Sequence, residues 1–156
     1  MTIRPVSAAD FGPIARLLES AFGRPDEARL VEALRDEGAM AREMVIAGEH
    51  EVIRAYLALV RMKEPARWLA LAPVAVAPGS QRLGLGGRLI HAALEVAEAP
   101  VVVLGDPAYY ARFGFSVGRA SRLVSPYPLE YTALYEPDPS GDPPVARLVY
   151  ADAFGA

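Results

Sequence analysis

Several residue types and patterns are scarce in this sequence, and each absence excludes a class of function. There is no cysteine, which excludes disulfide bridges, thiolate zinc sites and cysteine nucleophiles. There are only two histidines, and no His, Asp and Glu cluster has the spacing of metal ligands, so we expect no metal. The net charge of −3 offers no basic surface for nucleic acid, and we expect no such partner.

Long hydrophobic runs are also missing. No apolar run approaches the roughly 20 residues that a membrane-spanning helix requires, and the first 14 residues lack the uninterrupted apolar core of a signal peptide. We therefore expect a cytoplasmic protein with no membrane partner. The chain has 156 residues, of which 53% are hydrophobic. We take residues 1–156 as one domain with a sizeable core.

The hydrophobic pattern predicts helices interleaved with hairpins. Strands are predicted at 2–6, 43–48, 52–62, 67–78, 100–105, 115–120, 129–137 and 145–154. Helices are predicted at 7–22, 25–38 and 85–98, with one helical turn at 106–114. Pro73 interrupts the fourth strand and indicates an edge or a bulge. The predicted fold class is α/β (α+β), with a mixed sheet.

The most informative segment is VAVAPGSQRLGLGGRLIHAALEVA, residues 74–97. Three glycines, Gly84, Gly86 and Gly87, lie where a strand gives way to a helix. The first N–H groups of a helix lack intrahelical partners and carry partial positive charge, and glycine lets a ligand approach them. This arrangement favours an anion such as phosphate. The alternative is that the glycines only permit a tight turn and close helix packing.

Three phosphate-binding patterns can be compared with this loop. A P-loop requires Gly-Lys-Ser/Thr, which is missing here. A dinucleotide fingerprint fits Gly84 and Gly86 but has Leu89 at its third position, although Asp106 lies at about the expected distance. The pattern Q/R-x-x-G-x-G/A is satisfied throughout by QRLGLG, residues 81–86.

With a V-x-P before it and YARFGF (residues 110–115) after the next strand, the segment 71–115 resembles the GNAT N-acetyltransferase superfamily. The tail GDPPVARLVYADAF is similar to that of a bacterial branch of predicted acetyltransferases. The resemblance implies a single-domain GNAT-like fold with a mostly antiparallel, twisted sheet flanked by helices. It also implies acetyl-CoA as cosubstrate and a small-molecule or peptide amine as acceptor.

The resemblance also implies which residues bind CoA. The pantetheine arm is expected to pair with Val74, Ala75 and Val76, and the N–H of Val76 to meet the developing oxyanion. The remaining expected CoA-binding residues are Gln81, Arg82, Leu83, Gly84, Leu85, Gly86, Gly87, Tyr110 and Phe113.

Tyr110 matches the tyrosine that serves as general acid in this superfamily. The alternative is a packed aromatic ring on a short helix. Many relatives carry an asparagine and an alanine before this tyrosine, whereas this chain has Val103 and Asp106. We therefore expect Asp106 to cap a helix that begins at Pro107.

The sequence leaves three questions open. The general base could be Glu43, Glu64, Asp106 or Glu130, or a water molecule. The tyrosine-rich segment 121–139 could line a pocket for a cationic amine, face the core, or form a homodimer contact. A non-catalytic CoA-binding module and an NAD(P)-binding enzyme remain as alternative functions.

Overall fold

The structure is a computed structural model that describes residues 1–155; the last residue of the expected domain, 156, lies outside the described residues. Within these residues there are eight strands: β1 (Thr2–Pro5), β2 (Met40–Ala47), β3 (Ile53–Arg61), β4 (Leu69–Val76), β5 (Val101–Leu104), β6 (Leu123–Val124), β7 (Thr132–Tyr135) and β8 (Ala146–Arg147). The helices are α1 (Phe11–Phe22), α2 (Asp26–Asp36), α3 (Leu85–Ala97), α4 (Pro107–Ala111) and α5 (Asp152–Gly155). None of these helices has both the length and the apolar character needed to cross a bilayer.

Six strands form one sheet in the order β1-β2-β3-β4-β5-β7. Every neighbouring pair is antiparallel except β4 and β5, which are parallel and joined through α3. The predicted mixed, mostly antiparallel sheet flanked by helices is confirmed. A doubly wound dinucleotide-binding fold needs a largely parallel sheet, so the described residues do not have that fold.

Alternation along the strands divides the core between the two faces of the sheet. Tyr56 and Val60 of β3 pack with α1, α2 and the C-terminal segment. Leu57 and Leu59 of the same strand pack with α3 and α4 on the opposite face. The helices therefore cover both faces, with β3 and β4 at the centre.

The alignment of β3 with β4 changes near Pro73. Leu57 is opposite Val74, whereas Leu59 is opposite Leu71. Two residues of β4, Ala72 and Pro73, therefore lie opposite the single residue Ala58. This bulge confirms the interpretation of the proline.

Two strand predictions were wrong. No strand covers 115–120, where only Ser116 makes an isolated bridge, to Leu134. The tail 145–154 contains a two-residue strand and then helix α5. Its apolar residues Leu148 and Ala151 are buried against the face that carries α1 and α2, because the tail crosses over the sheet and does not join it. Periodicity alone cannot separate these two arrangements.

Candidate functional site

The parallel strands β4 and β5 separate after a short contact. Their pairing consists of Leu69 with Val101 and Ala70 with Val102. Ala77, just beyond β4, donates its N–H to the carbonyl of Arg54 on the β3 side. Because backbone groups alternate in direction along a strand, those of Val74 and Val76 point to the open side, and those of Ala75 point to β3. The C-terminal half of β4 thus offers a free edge to an extended ligand.

The glycine segment adds a second set of backbone donors beside this edge. Gly84 is the N-cap of α3 in the left-handed conformation, at φ 75°, and Arg82 is also left-handed, at φ 69°. A Cβ atom on Gly84 would meet nothing within 4 Å, so the backbone is open to the outside. The first N–H groups of α3 have no intrahelical acceptor, as an anion site requires.

These elements surround a cavity of about 490 Å³, which we call the glycine groove. Its lining consists of Val76, Gln81, Arg82, Gly84, Leu85, Gly86, Gly87, Arg88, His91, Tyr109, Arg112 and Phe113. Three of these residues are arginines, and none is acidic. In a chain with a net charge of −3, this local excess of positive charge favours an anionic ligand.

The groove contains eight of the residues that the sequence singled out: Val76, Gln81, Arg82, Gly84, Leu85, Gly86, Gly87 and Phe113. Val74, Ala75, Leu83 and Tyr110 are not part of this lining. Val74 follows the same free edge of β4, and Leu83 is an exposed residue of the glycine loop.

Two adjacent tyrosines of α4 point in different directions. The hydroxyl of Tyr109 lies 3.6 Å from the position that a Cβ on Gly86 would take, so it reaches into the glycine groove. The ring of Tyr110 packs on Gly105 and lies 5.7 Å from the ring of Phe115. Burial raises the pKa of Tyr110 above its ordinary value. Its phenol is therefore protonated at neutral pH, as a proton donor must be.

The start of α4 follows the sequence-based expectation. Asp106 is the N-cap and accepts a hydrogen bond from the N–H of Ala108 at 3.0 Å, and Pro107 is the first helical residue. The capping role therefore accounts for Asp106.

The other candidate bases occupy different surroundings. The carboxylate of Glu43 accepts hydrogen bonds from Arg35 at 2.8 Å and from Tyr56 at 2.7 Å, so it already has charged and neutral donors. Glu64 bonds to Val149 through its backbone, beyond the opposite end of β4. Glu130 is exposed. None of the three lines the glycine groove.

Sequence reasoning missed four lining residues: Arg88, His91, Tyr109 and Arg112. Helical spacing could have found two of them, because Arg88 and His91 follow Gly84 and Gly87 by one turn. Tyr109 and Arg112 enter the groove only because α4 packs beside the start of α3. Among residues 1–155, no group of three or more His, Asp or Glu side chains is placed to hold a metal.

A family model described as the acetyltransferase (GNAT) family matches residues 12–115. The N-acetyltransferase YhbS of Escherichia coli K12 is 33% identical over 135 residues, covering 82% of this chain and 81% of that protein. Another relative from the same strain, the N-acetyltransferase YjhQ, is 31% identical over 140 residues, covering 82% and 77%.

Solved structures agree with the sequence matches. The crystal structure of YhbS in complex with CoA has a TM-score of 0.89 at 26% identity, covering 99% of this chain and 92% of that one. A GNAT family acetyltransferase from Brucella melitensis in complex with acetyl-CoA has a TM-score of 0.81 at 29% identity, covering 98% and 97%.

Proposed function

The chain belongs to the acetyltransferase (GNAT) family, and we propose that it transfers the acetyl group of acetyl-CoA to a primary amine by direct attack in a ternary complex. The observation that carries this proposal is the glycine groove, where the start of α3 and three arginines adjoin the free edge of β4. Relatives that contain CoA or acetyl-CoA share the fold. In the reaction the amine nitrogen bonds to the acetyl carbon, the carbon–sulfur bond breaks, and the products are the N-acetyl amine and CoA.

The residues of the groove fit the two ends of acetyl-CoA. We assign the pyrophosphate to the backbone N–H groups from Arg82 to Gly87, with the side chains of Gln81 and Arg82 at the rim. We assign the pantetheine arm to the open edge of β4, where the amide groups of Val74 and Val76 and the carbonyl of Val74 face outward. The carbonyl of Val76 accepts a long hydrogen bond from Nε2 of Gln81, at 3.5 Å. Arg88 and Arg112 add positive charge near the phosphates.

Three tasks remain for the protein at the reacting end. The N–H of Val76 points to the open edge, and we assign it to the acetyl carbonyl oxygen as negative charge develops there. Tyr110 is assigned as the general acid that protonates the sulfur as the carbon–sulfur bond breaks. The proton lost by the amine is assigned to water, because Glu43 is already bonded and Asp106 caps a helix. Holding the amine close to the acetyl carbon supplies much of the remaining rate acceleration.

A thermal-shift screen with acetyl-CoA, CoA, NAD⁺ and NADP⁺ tests cofactor binding. At a ligand concentration about 100 times its Kd, binding adds about 2.7 kcal/mol to the free energy of unfolding. We expect acetyl-CoA and CoA to raise Tm by several degrees, and the nicotinamide cofactors to leave it unchanged. Stabilisation by NAD⁺ or NADP⁺ alone would contradict the proposal.

Release of free thiol from acetyl-CoA in the presence of an amine panel tests catalysis. We expect steady release with at least one amine and formation of its N-acetyl product. If CoA binds and no amine of the panel supports turnover, the chain is better described as a non-catalytic CoA-binding module.

A further inference from the structure

A second cavity, of about 420 Å³, lies between α1 and the turn that joins β2 to β3; we call it the α1 groove. The residues that matter in its lining are Arg16, His50, Glu51, Arg54, Ala77 and Pro78. Its wall at Ala77 directly follows Val76, which lines the glycine groove. The linings of the two grooves therefore include consecutive residues at the end of β4.

The α1 groove lies on the sheet face opposite α3. Arg54 is two residues before Tyr56 on β3, and Tyr56 packs on the face that carries α1. A molecule in the α1 groove would thus approach the end of β4 from the side of α1, while the glycine groove opens on the side of α3 and α4. A transfer between two bound substrates needs such an arrangement.

The charge in the α1 groove is positive and is not neutralised within the described residues. Across residues 1–155, neither Arg16 nor Arg54 takes part in an ion pair. The one carboxylate in this part of the lining, Glu51, pairs with Arg4 at 3.2 Å. Two guanidinium groups are therefore available to a ligand.

One atom of the Arg54 guanidinium group lacks a partner. Its Nε is buried and has no hydrogen-bond acceptor within residues 1–155. It lies beside Gly48, where a Cβ atom would be in ordinary contact with it at 3.5 Å. A buried donor without a partner costs about 1–3 kcal/mol, and a bound anion would remove this cost.

The turn beside the groove is strained. His50 and Glu51 both adopt the left-handed conformation, each at φ 58°. The left-handed conformation costs free energy in residues other than glycine, and residues strained in this way are frequent in binding sites. The strained turn places His50 and Glu51 along one wall of the groove.

From these observations we infer that the α1 groove binds an anionic group of the acceptor, so that the amine substrate carries a carboxylate or a phosphate. This inference rests on the proposed acetyl transfer. Guanidinium groups suit both anions, because their donors match paired oxygens. The amine end of such an acceptor would extend past Ala77 towards the end of β4.

Matched amines that differ in the anionic group test the inference. The probes are 4-aminobutyrate against 4-aminobutanamide, and 2-aminoethyl phosphate against ethanolamine. With the wild-type protein we expect kcat/KM for the anionic member of at least one pair to exceed that of its neutral partner by about tenfold or more. The pair that shows the larger ratio identifies the anion as carboxylate or phosphate. Ratios near one for both pairs would overturn the inference.

The variant Arg16→Gln/Arg54→Gln tests whether these two residues cause the preference. We expect its anionic-to-neutral ratio to fall to within about threefold of one, with KM for acetyl-CoA unchanged. Arg16→Lys/Arg54→Lys retains the charge and part of the preference. Arg29→Gln, an exposed arginine on α2, is the control and keeps the full ratio. A ratio that survives the double Gln variant, or a loss of acetyl-CoA affinity in that variant, would overturn the inference.

A binding measurement separates failure of this inference from failure of the proposed function. The same four probes are added to the CoA-saturated protein, and Tm is recorded for the wild type and the double Gln variant. We expect an anionic probe to stabilise only the wild type, even if no amine is acetylated. Equal shifts in both proteins, or no shift in either, would overturn the assignment of the anion site whatever the turnover assay shows.

Discussion

The glycine groove and the α1 groove are lined by consecutive residues at the end of β4, Val76 and Ala77, but they are built from different atoms. Besides its arginines, the glycine groove offers backbone groups to a ligand: the start of α3, the left-handed Arg82 and Gly84, and the adjoining free edge of β4. The α1 groove depends on side chains, chiefly Arg16 and Arg54. A site made of backbone groups suits a ligand that related proteins have in common. A site made of side chains can be changed by substitution when the ligand differs between proteins. This difference is consistent with one common acyl donor and a specialised acceptor.

The largest effect is expected for Tyr110, the side chain that we assign as the general acid. Tyr110→Phe removes the assigned general acid and keeps the ring that packs on Phe115, so we expect kcat to fall by about 10²-fold or more. The neighbouring variant Tyr109→Phe is the control, and we expect it to change mainly KM for acetyl-CoA, because its hydroxyl reaches Gly86. Steady-state thiol release measures both. Loss of kcat in Tyr109→Phe alone would transfer the acid role to Tyr109.

The pH dependence of the same reaction sharpens this assignment. The acid must be protonated, and burial raises the pKa of Tyr110 above the ordinary tyrosine value of about 10. Deprotonation of Tyr110 should therefore lower the wild-type kcat only above about pH 10. Tyr110→Phe should lack that alkaline decline. A decline that persists unchanged in the variant would show that another group causes it.

A substitution that disturbs the backbone of the glycine groove tests the role of its backbone groups. Gly84→Ala forces a side chain into the left-handed conformation at about 1–2 kcal/mol and disturbs the donors at the start of α3. We expect acetyl-CoA affinity to fall by about tenfold, with the anionic-to-neutral acceptor ratio unchanged. Gly79→Ala is the matched control, because Gly79 has open space around it and no left-handed φ. Calorimetric titration with acetyl-CoA measures both variants, and equal losses would contradict the backbone role of Gly84.

The smallest effect on ligand binding and turnover is expected from the anchoring of α1, which carries one wall of the α1 groove. Asp10 precedes α1 and is almost fully buried. Its carboxylate accepts hydrogen bonds from Arg4 at 2.8 and 2.9 Å and from the N–H of Ser7 at 2.8 Å. The hydrogen bond from Arg4, more than any other interaction, lowers the pKa of Asp10 well below its ordinary value. We expect Asp10→Asn to lower the free energy of unfolding by about 2 kcal/mol at pH 7, while acetyl-CoA affinity stays the same.

The sign of the acid dependence follows from this lowered pKa. Asp10 binds protons more readily in the unfolded chain, so its contribution to stability is complete above the unfolded pKa of about 4 and declines as the pH falls below it. The variant should show a shallower loss of stability in acid. Asp36→Asn, at an exposed position on α2, serves as control, and denaturant unfolding at several pH values measures all three proteins. An equal acid slope in the wild type and in Asp10→Asn would refute the anchoring role.

The sequence predicted the parts that depend on local rules. The glycine loop, the cap at Asp106 and the bulge at Pro73 follow from conformations that glycine, aspartate and proline favour within a few residues. The family resemblance added the mostly antiparallel character of the sheet and the helices that flank it. Predictions failed in the C-terminal third, where 115–120 and 145–154 have apolar residues but hardly join the sheet. The buried residues among them, such as Phe115, Ala120, Leu148 and Ala151, pack against the faces of the sheet. A single sequence does not show which surface buries them.

The sequence by itself therefore determined the family and the loop that we assign to CoA, because a cluster of glycines before a helix restricts the backbone locally. Only the tertiary structure brought Arg16 and Arg54 together from α1 and β3, and only it separated the directions of Tyr109 and Tyr110. These arrangements depend on how helices pack on the two faces of the sheet. Through that packing, residues 38 positions apart line one groove, and their spacing along the chain does not show it.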